Sequence, residues 1–221
     1  MAKQERALRT REALIKSAAE VFDCEGFGVA SLTTISNRAG VSNGALHFHF
    51  ASKAALAEAV EEAAGRRLDH VTRQATRGPN ALQCLVNATH DLARGLREDV
   101  VLRAGFGLSS EQSYAGGQNL RLEWRRWVEG ALKRADGEGV LTENLSAQDV
   151  MLAVVAATVG FEVLGARDAT WLSYRTLTRF WQLLLPRLTP PAVLGALRAE
   201  GVHGPRSRST APRIGGQGSE P

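Results

Sequence analysis

Residues 31–50, SLTTISNRAGVSNGALHFHF, constrain this chain more than any other stretch. Leu32, Ile35 and Ala39 recur at helical spacing, and Ser31 or Thr33 can cap the helix they begin. Gly40 permits a tight turn, after which Ser42 caps a second short helix running to Phe50. Two short helices crossing over a glycine turn make a helix-turn-helix. Backbone N–H groups at the first helix's N-terminus, with the positive end of its dipole, suit a phosphate. On the second helix Leu46 and Phe50, four apart, face inward with Val41, whereas Asn43 and His47 face outward beside Gly44. Gly44 lets the backbone come close to a groove, Asn43 can hydrogen-bond base edges, and Lys53, just past a cap at Ser52, is placed for a phosphate. The spacing therefore predicts double-stranded DNA as a partner.

The rest of the chain reads as helix. Leu14, Ala18, Val21 and Phe22 make a first helix that Gly26 stops. Leu56, Val60, Ala63 and Val71 follow the Ser52 cap up to the Gly78-Pro79 breaker. Asn80 caps a helix with Leu82, Leu85, Val86, Leu92 and Leu96, and Leu120, Trp124, Trp127, Val128 and Ala131 form an aromatic stripe on another. Ser146 and Asp149 give a capping signal before the apolar run 150–164. Trp171, Tyr174, Trp181 and Leu184 line a last long helix closed by Pro186, and 192–199 make a short one. No stretch alternates with strand periodicity. From Gly201 the composition is that of a flexible tail.

With 44% hydrophobic residues the 221-residue chain has material for a core. Its formal charge of +4 and pI near 9.5 admit a polyanionic partner. Cys24 and Cys84 are too few and too separated for a disulfide framework or a zinc site and read as buried thiols. His47 and His49 point to nearly opposite sides of their helix, a poor metal pair, so no metal or cofactor is expected. The N-terminus lacks a signal-peptide core, and the run 150–164 is shorter than the roughly twenty residues that span a bilayer and contains Glu162; a cytoplasmic protein without a membrane partner is expected. No H-E-x-x-H, P-loop or G-x-S-x-G pattern is present, which speaks against an enzyme.

The block T-x-I-x-x-x-A-G-V-S-x-G-A-L-x-x-H-F-x-S-K-x-x-L closely resembles the signature of the TetR family of regulators. Thr33, Ile35, Ala39, Gly40, Val41, Ser42, Gly44, Ala45, Leu46, His49, Phe50, Ser52, Lys53 and Leu56 carry it. The resemblance implies an all-α homodimer: a three-helix DNA-binding domain at 1–52 and a helical ligand-binding and dimerisation domain at 53–188, with 189–221 a short helix and tail. It implies DNA contacts from Thr33, Ser42, Asn43, Gly44, Ala45, His47, Phe48 and Lys53 to a pseudo-palindromic operator. His47 stands where the family usually has a phosphate-touching tyrosine.

LHFHF, segment 100–112 (VVLRAGFGLSSEQ) and RLEW at 121–124 resemble the γ-butyrolactone receptors that control antibiotic production. In that group a tryptophan matching Trp124 lies in a deep apolar pocket. By this resemblance Trp124, Trp127, Leu102, Phe106, Val155 and Phe161 would line a pocket for a small hydrophobic ligand. The glutamine and threonine that hold the lactone in such receptors match Ala64 and Phe161, which cannot supply those bonds. The basic charge also matches the non-binding pseudo-receptors of the group. The resemblance thus implies a repressor of secondary-metabolite genes released by an antibiotic or intermediate; a true lactone receptor and a repressor of an efflux pump are the alternatives.

Overall fold

Most of the helices begin where a short polar side chain can occupy a free backbone N–H. Ser31, Ser42, Ser52, Asn80 and Ser146 accept from the N–H groups of Thr34, Ala45, Ala55, Gln83 and Asp149, caps typically worth about 1 kcal/mol each. The computed structural model describes residues 2–76, 78–111, 114 and 117–202, with backbone alone for Ala2 and Lys3. The tail expected beyond residue 202 lies outside the described residues. The helices are α1 (Ala2–Glu25), α2 (Leu32–Arg38), α3 (Asn43–His49), α4 (Lys53–Ala75), α5 (Ala81–Glu98), α6 (Val100–Leu108), α7 (Leu120–Gly137), α8 (Ala147–Gly165), α9 (Tyr174–Leu188) and α10 (Pro191–Leu194), with a 3-10 turn at Ala169–Leu172. Among the described residues there is no strand, and the all-α expectation holds.

α1–α3 form the N-terminal three-helix unit, and α4 leaves it to enter the body, where it packs on α5, α6 and α7. α6 lies against both α1 and α4, so the two units share a continuous core. Gly105 of α6 is required for that approach: a Cβ there would stand 2.3 Å from the Cβ of Ala64 on α4. The break between α5 and α6 has no Gly or Pro to announce it in sequence. Asp99 makes it by adopting an extended backbone and accepting the N–H groups of Val101 and Leu102, while Arg67 of α4 pairs with its carboxylate. Arg103 of α6 pairs with Asp23 of α1 at 2.9 Å.

Four expectations need correction. Pro186 does not close the last long helix: α9 continues to Leu188, because a proline so near the C-terminus removes a single helical bond and the turn around it buries Leu185 and Leu188. Trp171 belongs to the 3-10 turn instead of α9. The short helix over 192–199 shrinks to the single turn Pro191–Leu194. Cys24 is exposed, since its place in the last turn of α1 faces solvent, and only Cys84 is buried.

α8 also exceeds its expected length. Its 19 residues have a mean hydropathy of 1.6, long and apolar enough by those measures to cross a membrane. One face nevertheless meets protein: Glu162 accepts two bonds from the Arg121 guanidinium of α7, both 2.9 Å. The other face presents Leu152, Val163 and Leu164, and α9 adds Leu183, 79% exposed.

Candidate nucleic-acid interface

Gly40, at φ +68°, turns the chain between α2 and α3, and the Val41 N–H closes the turn on the Ser36 carbonyl at 3.0 Å. Ile35, Leu46 and Phe50 lock the two helices to the core. The Arg11 guanidinium of α1 lies 5.3 Å from the Phe50 ring centroid, a cation–π contact that ties α1 to the end of α3. The outer face of α3 is therefore rigidly mounted, and it displays Gly44, His47 and Phe48, with Ala45 half-buried. Phe48 is 83% exposed, an apolar ring set edge-to-face with His49 at a centroid distance of 5.2 Å. Thr33 of α2 is exposed next to this surface. Ser31 and Ser42 use their side chains as caps, which occupy the Thr34 and Ala45 N–H groups.

Two residues expected on this surface are employed elsewhere. Asn43 turns its amide toward α2: its Oδ1 accepts from the Ser36 hydroxyl at 2.6 Å and its Nδ2 lies 3.5 Å from Thr33 Oγ1. It braces α3 against α2. Lys53 does not reach outward for a phosphate. Its ammonium donates to the carbonyls of Phe27, Gly28 and Ala30 at 2.7, 3.1 and 2.9 Å. An ammonium has three donors, so all are consumed. The same Nζ stands 4.6 Å from the Phe27 ring centroid. Lys53 thus staples the α1–α2 loop to the start of α4.

That staple continues into the body. Phe27 packs on Tyr114 with ring centroids 4.8 Å apart, and the Tyr114 hydroxyl donates to Glu61 Oε2 at 2.9 Å. Glu61, on α4, is buried, and desolvation raises its pKa above the ordinary 4.5, aided by the neighbouring Glu58, against the lowering hydrogen bonds from Tyr114 and the Gln118 and Gly117 backbone. The folded state holds the Glu61 proton more tightly than the unfolded chain does. Its contribution to stability is therefore present below pH about 4.5 and lost as pH rises through the folded pKa. Glu61→Gln, which keeps an acceptor for Tyr114 but no charge, is expected to raise the urea midpoint at pH 7. The gain should vanish in acid. A gain that persisted at pH 4 would contradict this account.

Most of the residues expected around a ligand are packed into the core. Trp124 is 1% exposed, its Nε1 donates to Thr158 Oγ1 at 2.9 Å, and Trp127 stacks on it at 5.3 Å. Leu102 and Phe106 are core residues of α6, and Val155 packs half-buried against that core. None of these five lines a described cavity. Phe161 borders a void of about 10 Å³ with Thr158 and meets Phe180 edge-on at 5.5 Å. Gly105 and Ala64 bring α6 close onto α4 beside these residues. Described cavities instead open around α5. One of about 420 Å³ is bordered by His90, Arg94 and Tyr174, residues that the sequence reading missed. A signal for them existed, because Gln83, Asn87 and His90 put a polar line at helical spacing on a helix buried for most of its length. Among the described residues no cluster suited to a metal ion occurs.

The model of the family described as "Bacterial regulatory proteins, tetR family" matches residues 14–60, which span α2, α3 and their supports. The A-factor receptor protein of Streptomyces griseus is 31% identical over 205 residues, covering 91% of this chain and 71% of that protein. A crystal structure of a γ-butyrolactone receptor described as ArpA-like superposes with a TM-score of 0.75 at 30% identity, covering 88% of this chain and 98% of that one. CprB from Streptomyces coelicolor, solved with its biological operator sequence, gives 0.72 at 30% identity, covering 86% and 94%.

Proposed function

Because the chain belongs to the TetR family of bacterial transcriptional regulators and resembles its γ-butyrolactone receptors, we propose that it represses genes of secondary metabolism and leaves its operator on binding a small molecule other than a γ-butyrolactone. It is a DNA-binding regulator and not an enzyme. The observation that carries the rest is the close contact of Ala64 with Gly105. By the resemblance Ala64 stands where the receptors keep a lactone-binding glutamine, and it offers no polar group there. Phe161 supports the same reading, since it packs on Phe180 and offers no hydroxyl. Calorimetry with γ-butyrolactones and with the antibiotics of the source organism tests the reading, and tight lactone binding would overturn it.

The exposed apolar residues of α8 and α9 supply a face on which a second copy can pack, making the homodimer that a pseudo-palindrome requires. Two α3 helices must then fit major grooves about 34 Å apart, and a ligand that favours another spacing opposes operator binding through one coupling free energy. Leu183→Arg is expected to give monomers by light scattering and to abolish mobility shift of the upstream region. A dimeric variant that shifts DNA normally would place the interface elsewhere. Phe48→Ala should leave the melting temperature unchanged, yet weaken operator binding by about 1.5–3 kcal/mol if the ring is buried in the groove. Wild-type affinity in that variant would remove Phe48 from the interface.

A further inference from the structure

Three polar side chains on α5 hold the segment that follows α10. Gln83 accepts from the Arg198 N–H at 2.7 Å and donates to the Arg198 carbonyl at 3.1 Å. Asn87 Oδ1 accepts from the Val202 N–H at 3.0 Å. His90 Nε2 donates to the Ala199 carbonyl at 2.9 Å. Gln83 and Asn87 are buried, so this is a built attachment and not a surface graze. It places Glu200 over the α5 cavity of about 420 Å³, a size within the range of small-molecule sites.

The cavity has an apolar floor of Ala93, Leu172 and Leu177. Beyond those same three residues lies the small void bounded by Thr158, the residue that holds the Trp124 indole. One wall is aromatic: the His90 and Tyr174 rings stand 5.0 Å apart. Burial lowers the His90 pKa, which keeps the imidazole neutral at pH 7. The mouth is charged but unevenly so. Arg94 pairs with Asp91 and Arg97 with Glu98, both at 2.7 Å, and Glu200 enters no ion pair among the described residues. Glu200 thus brings a carboxylate to the opening without a cationic side chain against it among the described residues.

We infer that this cavity between α5, the start of α9 and the segment after α10 is the effector site, and that it takes an apolar, ring-bearing molecule with a cationic amine directed at Glu200. The inference rests on the reading of the chain as a ligand-released repressor and moves the ligand away from the Trp124 core. An ammonium gains twice here, from the Glu200 carboxylate and from the aromatic wall. An anion of the same shape meets the Glu200 carboxylate.

Three probes of one shape test it by calorimetry on the full chain: naphthylmethylammonium, naphthalenemethanol and naphthoate. The ammonium should bind about three- to tenfold more tightly than the alcohol, with naphthoate weakest. Glu200→Gln, a change at an exposed side chain, should lower the ammonium to the level of the alcohol and leave the alcohol unchanged. Ala93→Phe should fill the floor and abolish both, in a protein whose melting shows it folded. Naphthoate binding as tightly as the ammonium, or Glu200→Gln binding the ammonium like wild type, would overturn the assignment. Mobility shift separates the two readings. A probe that enters the cavity without releasing the operator supports the site and counts against ligand release. Release that survives both substitutions supports ligand release and overturns the site.

Discussion

Lys53→Met is expected to abolish binding to every operator while leaving the salt dependence of any residual binding unchanged. The methionine keeps the apolar stem but strands the carbonyls of Phe27, Gly28 and Ala30 and loses the ammonium over the Phe27 ring. Hydrogen bonds to a charged group are individually strong, and losing this set should cost about 2–3 kcal/mol. The melting temperature should then fall by about 5–10 °C. The loop that presents the Ser31 cap would loosen, and α2 with it. Arginine should rescue poorly, because a planar fork does not match three carbonyls reached by one ammonium. A phosphate contact would behave differently: its removal makes the slope of log K against log salt shallower by about one, with stability intact. A variant that melts like wild type with the shallower slope would refute the staple.

Trp124→Ala is expected to be the most destabilising single change in the body. The ring is fully enclosed, and truncating a buried tryptophan costs about 3–5 kcal/mol. Thr158→Val should cost about 1–3 kcal/mol by leaving the indole N–H without an acceptor. The two substitutions should be strongly non-additive, since they remove one shared hydrogen bond. If Trp124 lined an open ligand site instead, Trp124→Ala would change ligand affinity and spare the urea midpoint.

Most of the helical framework was legible because its signals are local. Caps at Ser31, Ser42, Ser52, Asn80 and Ser146 sit one turn from the N–H groups they bind, and the apolar spacing that follows each of them sets the buried face. The outward placement of Gly44 and His47 follows from the inward placement of Leu46 and Phe50 by the same geometry. The break at Asp99 escaped notice because its cause lies partly on another helix, in Arg67. The turn at Pro186 was misread because a proline's local cost was weighed without the burial of Leu185 and Leu188 that offsets it.

The amino-acid sequence by itself determined the helix-turn-helix, the identity of its outward face and the all-α body, since each depends on residues within a few turns of one another. Only the tertiary structure decided where the long polar side chains end and whether a cavity exists. Helical spacing fixes the direction of a Cβ, but Lys53 and Asn43 carry their polar atoms beyond it, to carbonyls and hydroxyls brought near by folding. An internal space depends on how closely helices approach, and here the missing side chain of Gly105 lets α6 come close to Ala64 of α4 while the held segment at Glu200 borders a cavity.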